Sequence, residues 1–335
     1  HHAEPVDGQV ELVVRSISNE QKIAADTAEV QLDETLVAAN TVLDVYEHVA
    51  GLELLKALKA TASGKSAGLD GIPAEVLKKG GEQLHLELLQ LFKCCLSSGT
   101  IPRDFKDALI VTIYKKKGDR ADCGNHRGIS LLATAGKVLA KIILNRLKVI
   151  SEKILPESQC GFRAGRSTTD MIFTLRQIQE KAIEQHLPLY VVFVDFSKAF
   201  DTVDRNTLWK VLEIYGCPKK IVNLIKDFHT DMKGQVLLGG EQSEPFAVNH
   251  GVKQGCVLAP TLFSLFLTAV LDTMKRDLNE GVYVRTRSTG KLFNLARLRA
   301  TTKTRELIVR ELLYADDSAL LATDPRSEEH TSELQ

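Results

Sequence analysis

The chain has 335 residues, 44% hydrophobic and 26% charged, a composition that excludes a low-complexity or fibrous chain and suits one large domain or two to three subdomains. Its 43 basic and 43 acidic residues cancel overall but not locally: residues 1–60 hold four Lys/Arg against eleven Asp/Glu, whereas residues 61–326 hold 39 against 29, a basic body compatible with a polyanionic partner. The six cysteines show no C-x-x-C or His spacing, no apolar run nears the roughly 20 residues of a membrane span, and no signal-peptide pattern opens the chain, so a soluble intracellular protein with free thiols is expected.

Residues 9–60 are acidic and carry Val42, Val45, Val49, Leu52 and Leu55 near helical spacing, which predicts a helical N-terminal extension without chemistry. Gly64-Lys65-Ser66 invites a nucleotide-binding loop, but that pattern needs a glycine where Lys59 stands and a strand where Leu52–Leu58 reads as helix. The glycines there are read as a tight loop, and Pro73 opens a short helix ending before Gly80-Gly81. Residues 82–97 are an amphipathic helix, 108–114 a strand, and Lys115-Lys116-Lys117-Gly118-Asp119 a basic turn. Asn125-His126-Arg127-Gly128-Ile129-Ser130 then leads into a helix over 137–150. Lysines followed by an arginine across such a unit suit a triphosphate, although by itself a solvated charged loop is the simpler reading.

Gly161-Phe162-Arg163-Ala164-Gly165-Arg166-Ser167 is a second glycine-and-arginine loop, followed by a helix near 169–185. Residues 189–194 form a near-continuous apolar run, the mark of a buried strand, and the run ends on Asp195. A carboxylate there is exposed at the strand end, paired, or bound to metal, because burying it alone is costly. Asp201 and Asp204 read as caps for a helix around Leu208–Tyr215 that stops at Gly216. Residues 218–228 are helical, and 235–238 with 244–248 suggest a two-stranded ribbon about Gly239-Gly240. Gly251-Val252-Lys253-Gln254-Gly255 is a loop opening, followed by an apolar helix over 260–274. Residues 285–310 carry eight Lys/Arg and one acid, which fits a flexible basic loop or a nucleic-acid contact.

The last pattern is Leu312-Leu313-Tyr314-Ala315-Asp316-Asp317-Ser318-Ala319-Leu320-Leu321, two apolar strands around a turn with adjacent carboxylates. By itself it is either an ordinary turn or a divalent-cation site. Three acids, Asp195 and the pair Asp316-Asp317, are the set that two-metal phosphoryl transfer requires, with cations roughly 3.5–4 Å apart. Neighbouring strands spaced about 4.8 Å can bring such side chains together. Residues 326–335 continue none of these patterns and read like a translated sequencing adaptor, a disordered artefact set aside from fold reasoning. On that reading the native chain is cut near Asp324.

From about Gly64 to Asp324 the sequence resembles the reverse transcriptases of non-LTR (LINE-type) retrotransposons. The resemblance rests on ordered blocks: GKSAGLDGIPAEVL, NHRGISLL with KVLAKIILNRL, ESQCGFRAGRSTTD, VVFVDFSKAFDTV, GVKQGCVLAPTLFSLFL and LLYADDSALL. It implies an α+β fold of right-hand polymerase fingers (61–170) and palm (171–325), the palm an antiparallel sheet backed by helices, with the thumb missing. It implies an RNA-directed DNA polymerase that adds dNTPs to a primer 3′-hydroxyl on an RNA template with two Mg2+ ions, Mn2+ being a substitute. Asp195, Asp316 and Asp317 match the metal-binding catalytic acids, and Phe200 the aromatic that excludes a ribonucleotide 2′-hydroxyl. Arg127 and Lys116 match the residues holding the triphosphate, Gln254 and Gly255 the loop at the incoming nucleotide, and Arg163 and Arg166 a block touching template.

Two positions depart from the family's pattern: Gly128 stands where proline often follows the arginine, and Ala259 where serine often precedes Pro260. Neither removes a charge or a ligand. The resemblance places the work in the nucleus, where target-primed synthesis occurs, or in the cytoplasm, with no membrane. The alternatives are a catalytically incomplete nucleic-acid-binding remnant and an intron-encoded or RNA-dependent RNA polymerase.

Overall fold

The computed structural model describes residues 10–17, 51–275, 281–287 and 304–323. In chain order its elements are β1 (Val10–Ile17), α1 (Gly51–Ala60), α2 (Ala74–Lys79), α3 (Gly81–Ser98), α4 (Arg103–Lys106), β2 (Ala108–Tyr114), β3 (His126–Leu132), α5 (Thr134–Ile154), α6 (Thr168–Glu184) and β4 (Leu189–Phe196). There follow α7 (Arg205–Ile214), α8 (Lys219–Asp227), β5 (Lys233–Leu238), β6 (Glu241–Gln242), β7 (Phe246–Ala247), α9 (Ala259–Lys275), β8 (Val282–Arg287), β9 (Thr304–Val309), β10 (Glu311–Tyr314) and β11 (Asp317–Ala322). The content is mixed α and β, as expected.

The chain divides into two compact units. Among the described residues the first draws on 10–17, 156–199, 270–275, 281–287 and 304–323. It holds a four-stranded sheet of order β1-β4-β11-β10 and the two-stranded β8-β9. Strands β4, β11 and β10 run antiparallel, whereas β1 pairs with β4 in parallel over its whole length. The sheet is therefore mixed rather than purely antiparallel. Its core gathers Leu189 and Val191 of β4, Leu312 of β10, and Ala319 and Leu321 of β11 under Ile178 and Ala182 of α6. β4 is buried along both faces up to Val194 apart from the half-buried Phe193, which is why its sequence runs apolar without alternation. Helix α6 begins where the Asp170 carboxylate accepts hydrogen bonds from the Ser167 N–H (2.7 Å) and hydroxyl (3.1 Å).

β1 corrects the helical expectation for the N-terminal extension. Val10, Val13, Val14 and Ile17 are β-branched, a preference for strand that the acidic character of the wider stretch obscures. Residues 51–60 are helical as expected, while 18–50 lie outside the described residues. The basic segment 285–310 is likewise not a plain loop at its ends, since Arg285 pairs with Glu306 and Arg287 with Thr304 in the β8–β9 ladder. Its middle, 288–303, and the adaptor-like 326–335 lie outside the described residues.

Among the described residues the second unit draws on 51–155 and 200–269. Its sheet has the order β3-β2-β5-β6, with β7 also on β5; β2 and β3 are antiparallel, β2 and β5 parallel. Helix α5 is the centre of its core: Val138, Leu139, Ile142, Ile143 and Leu147 are all at most 1% exposed, the recurring apolar face its sequence spells out. Arg146 on the same helix pairs with Glu53 of α1 at 2.9 Å. The sequence reading missed β3, since His126, Arg127 and Gly128 are poor strand formers. The strand exists because β2 offers it seven residues of antiparallel pairing.

Candidate active site

The acidic turn is a two-residue hairpin. Tyr314 pairs with Asp317, leaving Ala315 and Asp316 as the turn. Ala315 has φ of 60°, the positive φ that the first central residue of the favoured two-residue hairpin turns takes. On the other edge of β11, Ser318 pairs with Val194 of β4. Asp317 and Asp195 are thus the next residues beyond that pair on two neighbouring strands, and Asp316 precedes Asp317 in the turn. The sequence singled out these three acids, and the strand register brings them to one end of one sheet.

Their electrostatics agree with that placement. Asp195 and Asp317 are exposed and Asp316 half-buried. Partial burial, and then the charges of Asp316 and Asp195, raise the Asp317 carboxyl above its ordinary value. Mutual repulsion of this kind is what a hard divalent cation relieves, since its preferred ligands are carboxylate oxygens. Among the described residues no three His, Cys, Asp or Glu side chains already close into a metal cage. What the structure supplies is the alignment and the shared charge.

A second group of the expected residues assembles within the other unit. Arg127 is exposed on β3, opposite Ile113, and Lys116 is exposed in the turn between β2 and β3 with φ of 58°. Three residues along from Arg127, the Ser130 N–H donates to the Gln254 carbonyl at 2.9 Å, which fixes the Gln254-Gly255 loop on β3. The Val252 N–H donates to the Phe200 carbonyl at 2.8 Å, so residue 200 joins the same cluster. The Phe200 ring stacks on Phe263 of α9 with centroids 4.7 Å apart, a contact that orients the aromatic.

Arg205 and Lys253 hold this cluster and were not singled out from the sequence. The Arg205 guanidinium donates to the carbonyls of Gly251 (2.8 Å), His229 (2.8 Å), Val248 (3.0 Å) and His250 (3.0 Å). Lys253 is 7% exposed and donates to the carbonyls of Lys106 and Phe228. Burial lowers its pKa to about 8. An arginine at the first turn of a helix and a lysine beside a glutamine carry no pattern that marks them as braces.

The two loop arginines differ from each other. Arg163 is 8% exposed, and its guanidinium donates to the carbonyls of Pro156 (2.7 Å) and Gln159 (3.0 Å), bracing its own loop. Arg166 is more accessible and pairs with the exposed Glu157 at 2.6 Å.

Residues 114–335 match the family model described as reverse transcriptase (RNA-dependent DNA polymerase). The transposon TX1 uncharacterized 149 kDa protein of Xenopus laevis is 30% identical over 84% of this chain and 20% of its own length. The RNA-directed DNA polymerase from mobile element jockey of Drosophila melanogaster is 30% identical over 60% of this chain and 22% of its own length. Its namesake in Drosophila funebris is 31% identical over 64% of this chain and 24% of its own length. The chain spans between a fifth and a quarter of the length of these curated relatives.

Proposed function

The chain belongs to the reverse transcriptase family, of the non-LTR retrotransposon kind, and from that premise we propose that it carries the catalytic centre of an RNA-directed DNA polymerase. The observation that carries the reading is the register of β4 and β11, which aligns Asp195 with Asp317 beside Asp316. The reaction is addition of a dNTP to a primer 3′-hydroxyl on an RNA template, in the course of retrotransposition. In family terms, β4 and the β10–β11 hairpin belong to a palm, and the β2–β3 unit with Lys116 and Arg127 to fingers.

Asp195, Asp316 and Asp317 would hold two Mg2+ ions, or Mn2+ in their place. When bound, the ions supply charge neutralisation and activation of the 3′-hydroxyl. The remaining work falls to this chain's own groups. Arg127 and Lys116 present exposed cations to the triphosphate, the arginine through a fork matched to phosphate oxygens. The Gln254-Gly255 backbone, held on β3, offers a surface for the incoming nucleotide. Phe200, fixed against Phe263, closes the space a ribose 2′-hydroxyl would need, which makes the product DNA. Arg166, rather than the internally engaged Arg163, is the better placed of the two for template phosphate. Work in the nucleus, on a nicked target, fits this chemistry and remains part of the proposal.

The test is primer extension on an RNA template by the full-length protein. Wild type extends with dNTPs and Mg2+, and Asp316→Ala abolishes extension. Wild-type extension by Asp316→Ala would remove the catalytic assignment.

A further inference from the structure

We propose that Gln159 is a positioning residue for the catalytic hairpin: its buried side-chain amide holds Ala315 in the turn conformation that sets Asp316 and Asp317. The proposal rests on the catalytic reading of that hairpin and adds a residue to it. Its first ground is the turn. Ala315 sits at φ 60°, a left-handed conformation that costs a residue bearing a Cβ free energy and persists only where neighbours enforce it.

The enforcing neighbour is the segment 158–161, which lies along β10 as a short parallel bridge with Gln159 opposite Leu313. The Leu313 N–H donates to the Ser158 carbonyl at 2.8 Å and the Cys160 N–H to the Leu313 carbonyl at 2.9 Å. This main-chain register delivers the Gln159 side chain to the turn. Its exposure is 0%. Its Oε1 accepts from the Gly161 N–H at 2.8 Å and from the Ala315 N–H at 3.1 Å, which uses both lone pairs of the amide oxygen. Arg163 holds the Gln159 carbonyl at 3.0 Å, so the clamp is itself braced from behind.

Gly161 completes the device. A Cβ there would lie 2.1 Å from the Ala315 nitrogen and 2.8 Å from its Cα, so only glycine lets the clamp approach. Glutamine and glycine in the Ser158-Gln159-Cys160-Gly161 run are therefore tied to one target, the backbone of residue 315. A glutamine serving only to fill the core would not direct its single acceptor at the turn that presents two catalytic acids.

The experiment is steady-state primer extension on an RNA template by the full-length protein, with Mg2+ and dNTP titrations and a melting curve for each variant. Gln159→Leu lowers kcat by roughly 10- to 100-fold, the scale of an ångström of misplacement, and raises the half-saturating Mg2+ concentration while the dNTP KM stays put. Adding Ala315→Gly restores part of the lost kcat, since glycine adopts the left-handed turn unaided. Gly161→Ala shows the same loss without that rescue, because its clash is with backbone atoms that every residue at 315 retains. If Gln159→Leu does not fold, Gln159→Asn, which withdraws the amide by one methylene, takes its place with the same expected pattern. Wild-type kcat and Mg2+ dependence in the folded Gln159 variant, or no rescue by Ala315→Gly, overturns the clamp. Asp316→Ala separates the two ideas: inactive, it leaves the catalytic reading standing whatever Gln159 does, and active, it removes that reading and the clamp's purpose together.

Discussion

Gly255→Ala tests how tightly the Gln254-Gly255 loop is held on β3. Gly255 has φ of 99°, outside the conformations open to alanine at low cost. A Cβ would also stand 2.7 Å from the Ser130 carbonyl oxygen, which is backbone and cannot swing away. Ordinary contact begins at 3.4 Å, so the loop must retreat by about 0.7 Å, which breaks the Ser130-to-Gln254 hydrogen bond. The strained φ costs about 1–2 kcal/mol, and the overpacking about 1–3 kcal/mol. Because relaxing one relaxes part of the other, a combined loss of about 2–4 kcal/mol is expected. Urea denaturation reads the stability loss, and primer extension reads a kcat/KM for dNTP lowered by roughly 10-fold or more. An unchanged denaturation midpoint with unchanged kcat/KM would refute the packing argument.

Two further variants probe the braces beneath that loop. Arg205→Lys replaces a planar five-donor fork by an ammonium with three donors on one atom, leaves at least one of the carbonyls of 229, 248, 250 and 251 without a donor, and should cost about 1–3 kcal/mol in urea denaturation. His229 is fully buried beside Lys253 and Arg205, its Nδ1 at 2.8 Å from the Ile225 carbonyl, and burial lowers its pKa from 6.5 to about 3. The unfolded chain therefore takes a proton below pH 6.5 that the folded chain refuses until about pH 3, so acidification through that window drains stability. His229→Phe, which keeps a ring against Trp209, should flatten the fall in denaturation midpoint between about pH 7 and pH 5 relative to wild type.

The acids of the candidate site were more legible in the sequence than the scaffolding around them, for physical reasons. Asp195, Asp316 and Asp317 stand out because charged residues interrupt apolar strands, where only exposure, pairing or a cation makes them affordable. Asp204 read correctly as a helix cap, since its carboxylate accepts from the Thr207 N–H at 2.7 Å, a contact three residues away. Gln159, Arg205 and Lys253 were invisible because each acts on backbone carbonyls or N–H groups of distant residues. The contact from Gln159 to Ala315 spans 156 positions. β3 and β1 escaped for a related reason: strand pairing is supplied by a partner elsewhere in the chain, and neither His126-Arg127-Gly128 nor an acidic N-terminal stretch advertises it. The parallel addition of β1 beside β4 is likewise a choice of partner that no local pattern encodes.

Two aspartates nine residues apart offer the most direct measurement of the central claim that the sheet end is a polymerase centre. Asp195 stands one residue before the end of β4 beside the acidic hairpin, whereas Asp204 caps α7, a task asparagine performs as well. Single-turnover primer extension on an RNA template should be lost in Asp195→Asn and retained in Asp204→Asn, with both proteins melting near wild type. Extension by Asp195→Asn at the wild-type rate would contradict the account.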